Sequence, residues 1–534
     1  MNLHADQVGL ASSDFAIGSP SEGPLDFVAG SRGWTDYGIS SGSTTTSTGG
    51  PGGVVAWSLA GAGLTDNSGG SFFEGSSVSL GSFLPFNYQS VLRSAFNAWS
   101  TAANIEFIQV EDNGGNIGVG AYPTIRIAAG YIDGASRVLG RANLPSSTPY
   151  GGDVVFDSSD SAFFSNQHNF YLVALHEIGH ALGLSHEPEI PALMNPIIDT
   201  ALSGLLADDV NGIRSLYGTQ DNGPTTYYMP ATLANLKILD NSNSLTVIGN
   251  ALNNSIVGAN AIETIYGGGG DDTLATGGGL DTLIGGTGND TYIIDFPAVI
   301  VIESAGEGAD TVRASVDFTL PDNVENLTLI SEENVNGTGN SGDNTITGNA
   351  YDNVLNGGTG GLDTLIGGLG DDTYTVDHAT VTVIEEAGAG TDTVNASVTF
   401  ALGANIENLT LIGSNAINGT GNSGDNAITG NDADNTLSGG NGGLDTLIGG
   451  LGDDTYIVDH ATVIVIESAG EGADTMKASI DFFLGANVEN LILTGSASIS
   501  GFGNDLANVI EGNTGSNVLV GGLGADALSG GDDA

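Results

Sequence analysis

GGGGDDTLA (267–275), TGGGLDTLI (276–284) and GGTGNDTYI (285–293) follow one another without a gap, and their reading decides the fold of the larger part of the chain. The unit is G-G-x-G-x-D-x-U-x, where U is a large apolar residue: Leu274, Leu283, Tyr292, and later Tyr374 and Tyr456. Glycines permit a tight turn, the aspartate projects into that turn, and U points inward from a short strand. Successive units then stack into a parallel β-roll, with Ca²⁺ held between turns by carboxylates and backbone carbonyls. The plain alternative is a flexible glycine-rich linker, which has no reason to return an apolar residue every nine positions. The expected calcium ligands are Asp272, Asp281, Asp290, Asp363, Asp372, Asp445, Asp454 and Asp526. Several opening coils carry Asn at the aspartate position: Asn254, Asn344, Asn353, Asn426, Asn435, Asn508 and Asn517. A neutral amide offers one oxygen, so these coils are expected to bind Ca²⁺ weakly or to serve as stacking coils, with most ion sites late in each block.

Similar runs occupy 339–375, 421–457 and 503–529, and a longer period of 82 residues encloses them. Asp281-Thr-Leu-Ile-Gly-Gly recurs at Asp363 and Asp445, and Asp290-Thr-Tyr recurs at Asp372 and Asp454. Between the blocks lie β-rich spacers, among them Val299-Ile-Val-Ile-Glu and the tails beginning at Val324, Ile406 and Val488. Residues 221–534 are therefore read as one all-β parallel solenoid of 82-residue super-repeats.

The formal net charge is −54, and residues 221–534 contribute 43 acids against three bases. Such a surface repels nucleic acid and anionic membranes, and it repels itself unless cations neutralise it. The absence of cysteine rules out disulfides and thiolate metal sites. No apolar run approaches the roughly 20 residues that span a bilayer, and Met1–Gln7 lacks the basic-then-apolar pattern of a cleavable signal peptide.

Upstream the periodicity changes. Residues 1–50, rich in Ser, Gly and Thr, are read as a flexible leader or a short pro-segment. Residues 51–220 read as one α+β domain. Val54–Leu59, Thr124–Ile127 and Val154–Phe156 are expected strands, and residues 88–103 an amphipathic helix with Leu92, Phe96 and Trp99 on one face. A last helix is expected from Ala207 to Tyr217, with Asp208 and Asp209 in its first turn, where the helix dipole favours acids.

Within this domain stands HEIGHALGLSH, His176 to His186. His176 and His180 are four apart, so a helix projects them from nearly one face about a turn apart. Two such imidazoles can share one Zn²⁺, with Glu177 placed as a general base. Gly183 tolerates left-handed dihedrals and lets the chain leave the helix, swinging His186 back as a third ligand. Three protein ligands with an open fourth position describe a catalytic zinc site. Met194 stands eight residues further on, and its plain reading is core.

The nonapeptides over most of 249–529 resemble the RTX calcium-binding repeats of bacterial secreted proteins. His176–His186, Ala192-Leu-Met-Asn-Pro196 and Asp208–Gly218 resemble the matrixins, a metzincin subfamily, over roughly 54–218; Pro196 stands where the related serralysins carry a tyrosine. The catalytic domain is thus matrixin-like and the overall architecture serralysin-like. The fold class expected is an α+β metzincin domain, with a twisted mixed sheet plus helices, followed by an RTX β-roll. The resemblance implies a secreted zinc endopeptidase acting on protein or peptide substrates, with Glu177 catalytic, one catalytic Zn²⁺, several Ca²⁺ and a Met-turn at Met194. It implies substrate lying extended along an edge strand near Leu139–Asn143, and a further calcium site of Asp133, Asp157 and Asp160. Arg141 and Val155 stand where matrixins place ligands of a structural zinc, so no second zinc is expected. His168 is expected to be a surface histidine. Type I export without an N-terminal signal peptide, folding on external Ca²⁺, no membrane insertion and a monomer complete the expectations. The rival reading is a calcium-binding surface or matrix protein with a vestigial protease domain.

Overall fold

The computed structural model describes residues 12–16, 53–65, 73–112, 124–132, 138–143, 152–184, 186, 193–194, 200–217, 225–240 and 244–531. They fall into two compact units, Met1–Asp290 with Ala298–Val301, and Thr291–Pro297 with Ile302–Ala534.

In the first unit, strands β1 (Ser12–Ala16), β2 (Gly53–Leu59), β3 (Glu74–Val78), β4 (Ile105–Val110), β5 (Thr124–Tyr131), β6 (Val138–Asn143) and β7 (Val154–Asp157) accompany four helices. The helices are α1 (Tyr88–Ala102), α2 (Ser161–Phe164), α3 (Gln167–Ala181) and α4 (Ala207–Tyr217). The sheet runs β1-β6-β7-β5-β2-β4, with β3 branching from β5. Pairing is parallel from β7 through β5 and β2 to β4, and antiparallel where β6 meets β7.

Period-two alternation sorts the side chains of the central strands. Ile125, Ile127 and Ala129 of β5, with Val154 and Phe156 of β7, face a core shared with Leu92, Phe96 and Trp99 of α1 and with α3. Burying each large side chain of that face is worth about 1.5–3 kcal/mol. Ala128 and Val155 point the other way, into a smaller cluster with Phe73, Ile132 and Val138. Trp57 stacks on Phe96 with ring centroids 4.5 Å apart. The Trp99 Nε1–H donates to the Leu175 carbonyl at 3.0 Å, stitching α1 to the metal-motif helix.

Composition places a domain change at residue 220, but the first compact unit continues to Asp290. The reason is an edge. β4 would expose unpaired backbone groups, and strand β9 (Asn235–Asp240), after β8 (Thr225–Tyr228), covers it antiparallel with Gln109 opposite Asp240 and Val110 opposite Ile238. From β8 onward every strand of this unit pairs in parallel with one lying a full coil away: Val247 lies between Tyr227 and Ile265, and Ile256 between Leu236 and Leu274. All six are at most 3% exposed.

The second unit is built the same way throughout. One buried column runs Leu355, Tyr374, Val394, Leu409, Ile428, Leu447, and another Leu437, Tyr456, Met476, Leu491, Ile510. Val394, Leu409, Met476 and Leu491 belong to the segments between nonapeptide blocks. Those spacers are therefore full coils of the solenoid, not connections between separate rolls.

Candidate active site and calcium-binding repeats

Helix α3 begins at Asn166, whose side chain accepts from the His168 N–H at 2.9 Å. It ends in a Schellman motif: Leu184 N–H reaches Gly179 O at 3.0 Å, Gly183 N–H reaches His180 O at 2.9 Å, and Gly183 has φ 107°. The chain thereby leaves the helix axis and returns His186 to the face that carries His176 and His180. One ring nitrogen from each of the three histidines lies within 4.8 Å of the others. His176 Nε2 is 3.0 Å from His180 Nε2 and 3.3 Å from His186 Nε2.

The opposite nitrogens are tied down. His176 Nδ1 lies 2.8 Å from the Leu193 carbonyl and His180 Nδ1 2.7 Å from the Leu184 carbonyl. A carbonyl only accepts, so each Nδ1 carries the proton and each Nε2 lone pair faces its partners. Burial pushes His176 and His180 well below the usual histidine range and His186 to about 4. Three converging imidazoles whose neutral form burial favours fit a zinc ion, whose ligands must be deprotonated. Glu177, fully buried on the next residue of α3, sits against Gly140 of β6; a Cβ at Gly140 would stand 3.0 Å from its Oε1.

Met194 is fully buried beneath this site. Gly179, one residue before His180, has no room for a side chain: an added Cβ would lie 2.5 Å from Met194 Sδ and 2.9 Å from Trp99 Cζ2. Gly179→Ala is expected to cost about 1–3 kcal/mol of stability by overpacking, read as a lowered Tm. An unchanged melt would show that Met194 moves aside freely.

Asp209 is more than a helix-dipole acid. It is 1% exposed; Oδ1 accepts from Met194 N–H at 3.1 Å, and Oδ2 accepts from Leu193 N–H at 3.1 Å and Leu206 N–H at 2.8 Å. It pins the turn whose Leu193 carbonyl orients His176.

Asp157 is buried and its Oδ1 accepts from Ser159 N–H and Oγ; Asp160 is also buried, but Asp133 lies outside the described residues, as do Asn195 and Pro196. His168 is exposed, with Nε2 2.8 Å from the Leu202 carbonyl. Val155 is packed into the smaller apolar cluster and Arg141 is half-buried on β6. Residues 12–16 of the leader form β1, antiparallel to β6, with Ser13 opposite Ala142 and Phe15 opposite Gly140.

In the repeats, seven of the eight expected aspartates are at most 1% exposed, and Asp526 is half-buried. One oxygen of each is used in a vertical ladder. Asn254 N–H donates to Asp272 Oδ1 at 2.6 Å, Glu263 N–H to Asp281 at 2.8 Å, Asn344 N–H to Asp363 at 2.9 Å and Asn426 N–H to Asp445 at 3.0 Å. The Oδ2 atoms of Asp272 and Asp363 are buried without a hydrogen-bond partner, an arrangement that fits a cation between the turns. The asparagine coils differ. Asn353 spends its whole amide on the protein, donating to Val335 O at 2.7 Å and accepting from Asn349 N–H at 2.8 Å.

Comparison with known proteins agrees with this geometry. Residues 83–218 match the matrixin family of peptidases, and four copies of the RTX calcium-binding nonapeptide repeat match residues 257–292, 338–374, 420–456 and 502–534. The chain carries a matrixin domain joined to RTX calcium-binding nonapeptide repeats, the serralysin-like arrangement. The chain is similar to neutrophil collagenase of Homo sapiens, 32% identical over 147 residues, covering 26% of this chain and 31% of the relative. It is similar to interstitial collagenase of Equus caballus, 36% identical over 143 residues, 25% of this chain and 30% of the relative. The chain thus spans about a third of the length of the curated relatives it matches.

Proposed function

We propose that the chain is a secreted, calcium-stabilised zinc endopeptidase that hydrolyses peptide bonds of extracellular proteins. The observation that carries this reading is the convergence of three imidazoles, two of them oriented by backbone carbonyls, beside the buried carboxylate of Glu177. His176, His180 and His186 would hold Zn²⁺, which when bound lowers the pKa of a water and polarises a carbonyl. Glu177 accepts the proton of the attacking water at its carboxylate and returns it to the leaving amine. Asp209 and the Met194 turn hold His176 in the tautomer that the site needs.

Substrate is expected along β6, adding backbone hydrogen bonds to an edge strand. The chain's own β1 already lies on that edge as an antiparallel strand, which supports β6 as an acceptor of extended peptides. We infer from it a competing role for the leader. Deleting residues 1–50 should lower KM for a peptide substrate, by on the order of tenfold given the millimolar effective concentrations of tethered segments, with kcat little changed. An unchanged KM would mean that the leader does not occupy the cleft in solution.

Export fits the type I route implied by RTX repeats, and no helix among the described residues is long and apolar enough to cross a membrane. The test of the whole reading is hydrolysis of casein or gelatin at millimolar Ca²⁺, with and without a zinc-selective chelator. Activity that the chelator abolishes and added Zn²⁺ restores is the expected result. A folded, zinc-loaded chain that cleaves neither protein would favour a calcium-binding surface protein with a vestigial protease domain.

A further inference from the structure

The spacers repeat acids as faithfully as the nonapeptides do. Glu385 and Asp392 recur 82 residues later as Glu467 and Asp474. In the second unit the fold brings these acids back to the last aspartate of the preceding nonapeptide block. Asp372, Glu385 and Asp392 each offer a carboxylate oxygen within 4.8 Å of the others, and so do Asp454, Glu467 and Asp474. Asp372, Asp392 and Asp474 are 1% exposed and Asp454 is fully buried.

Each aspartate uses only one oxygen within the protein. Asn353 N–H donates to Asp372 Oδ1 at 2.7 Å, and Asp372 N–H donates to Asp392 Oδ1 at 2.8 Å. The second coil repeats this, Asn435 N–H to Asp454 Oδ1 at 2.7 Å and Asp454 N–H to Asp474 Oδ1 at 2.9 Å. Asp372 Oδ2, Asp392 Oδ2, Asp454 Oδ2 and Glu467 Oε2 are buried and accept nothing. Glu385 and Glu467 are oriented by the hydroxyls of the buried Tyr374 and Tyr456, which donate to them.

The spot these groups face is kept open by glycine. A Cβ at Gly367 would collide with Asp372 Oδ2, Glu385 Oε1 and the Tyr374 hydroxyl together, and one at Gly449 with Asp454 Oδ2 and the Tyr456 hydroxyl. Neighbouring charges do not relieve the cluster. Those acting on Asp372 are Asp392, Asp352 and Asp371, all acids. Three desolvated carboxylates around one vacant point, with hard oxygen donors only, describe a calcium site more closely than a zinc or copper one.

We propose that the spacers bind calcium as well as the nonapeptides: Asp372, Glu385 and Asp392 hold one Ca²⁺, and Asp454, Glu467 and Asp474 hold another. Each ion lies where a nonapeptide block ends. No further nonapeptide follows there to complete a turn-to-turn site, and the spacer's glutamate and aspartate supply the missing carboxylates. The tyrosine that replaces leucine at the U position of these last units, Tyr374 and Tyr456, is then a positioning residue that sets the glutamate.

Calcium at these two places presupposes that the repeats bind calcium at all, which the wild-type titration reports separately. The experiment uses the full chain: Ca²⁺ stoichiometry by equilibrium dialysis, and Tb³⁺ luminescence excited through tyrosine. The double variant Glu385→Gln/Glu467→Gln should bind two fewer Ca²⁺ per chain and lose part of the tyrosine-sensitised Tb³⁺ emission in step. Asp363→Asn/Asp445→Asn, in the preceding coils, should keep that emission. Should the Gln pair fail to fold, Tyr374→Phe/Tyr456→Phe leaves every carboxylate in place and must still dim the Tb³⁺ signal. An unchanged stoichiometry in the Gln pair, or undimmed emission in the Phe pair, overturns the assignment while the nonapeptide sites stand. A wild-type chain that takes up no Ca²⁺ overturns both.

Discussion

Exchanging Glu177 for Gln should lower kcat by about 10²–10⁴-fold, the range that a positioned general base contributes, while zinc content and fold stay as in the wild type. The substitution keeps the shape of a side chain that is fully buried and walled by Gly140 on β6. It removes the ability to take a proton from water at pH 7. Because Glu177 is adjacent to His176 on α3 but is not one of the converging nitrogens, the three-histidine site is left intact. KM should change little, since the interaction lost belongs to the transition state and not to substrate binding. Metal analysis showing one zinc per chain, a wild-type far-UV circular dichroism spectrum and a collapsed kcat on a peptide substrate are the expected set. A variant retaining more than about a tenth of wild-type kcat, well above the loss a general base implies, would remove Glu177 from the chemistry and with it the protease mechanism drawn above.

The legible parts of this chain are the periodic ones. HEIGHALGLSH reads directly because helix geometry fixes where residues four apart must point, and a glycine at Gly183 predicts the turn that returns His186. The nonapeptides read for the same reason, one coil translating into the next. What escaped is whatever depends on a partner distant in sequence. Asp209 sits in the first turn of α4, where a dipole argument suffices to explain an acid. Its actual targets, Leu193 and Met194, come from a loop whose course no local rule gives. Gly140 is a glycine in a strand, and only the packing of β6 over α3 shows that it makes room for Glu177. The edges of the sheet are equally silent, since β1 and β9 cover β6 and β4 through backbone hydrogen bonds that leave no side-chain pattern. The spacer acids carried a usable signal, their recurrence at 82 residues, but β-rich composition masked it.

Stripped of calcium, the full chain should lose stability as the pH rises from about 4 to 7, and millimolar Ca²⁺ at neutral pH should restore it. Burial pushes Asp272, Asp372 and Asp454 up to about 6 and Glu385 and Glu467 up to about 7, and raises Asp363, Asp392, Asp445 and Asp474 as well. In the unfolded chain these carboxyls titrate near 4. A group whose folded pKa lies above its unfolded one binds protons more tightly when folded. Its stabilisation is therefore complete below about pH 4 and is lost as the pH climbs through the folded value. Many such groups titrate together on a chain of net charge −54, so the effect accumulates into cooperative unfolding of the coils and not a small drift in Tm. Calcium substitutes for the protons: it binds the ionised carboxylates of the folded state and stabilises by mass action. Protons and Ca²⁺ compete for the same oxygens, so the calcium requirement should weaken as the pH falls. Thermal melts followed by far-UV circular dichroism in a calcium chelator, across that pH range and then with Ca²⁺ added back, measure this directly. A chelated chain whose melting is independent of pH, or whose stability rises toward neutrality, would show that the buried carboxylates do not govern the stability of the coils.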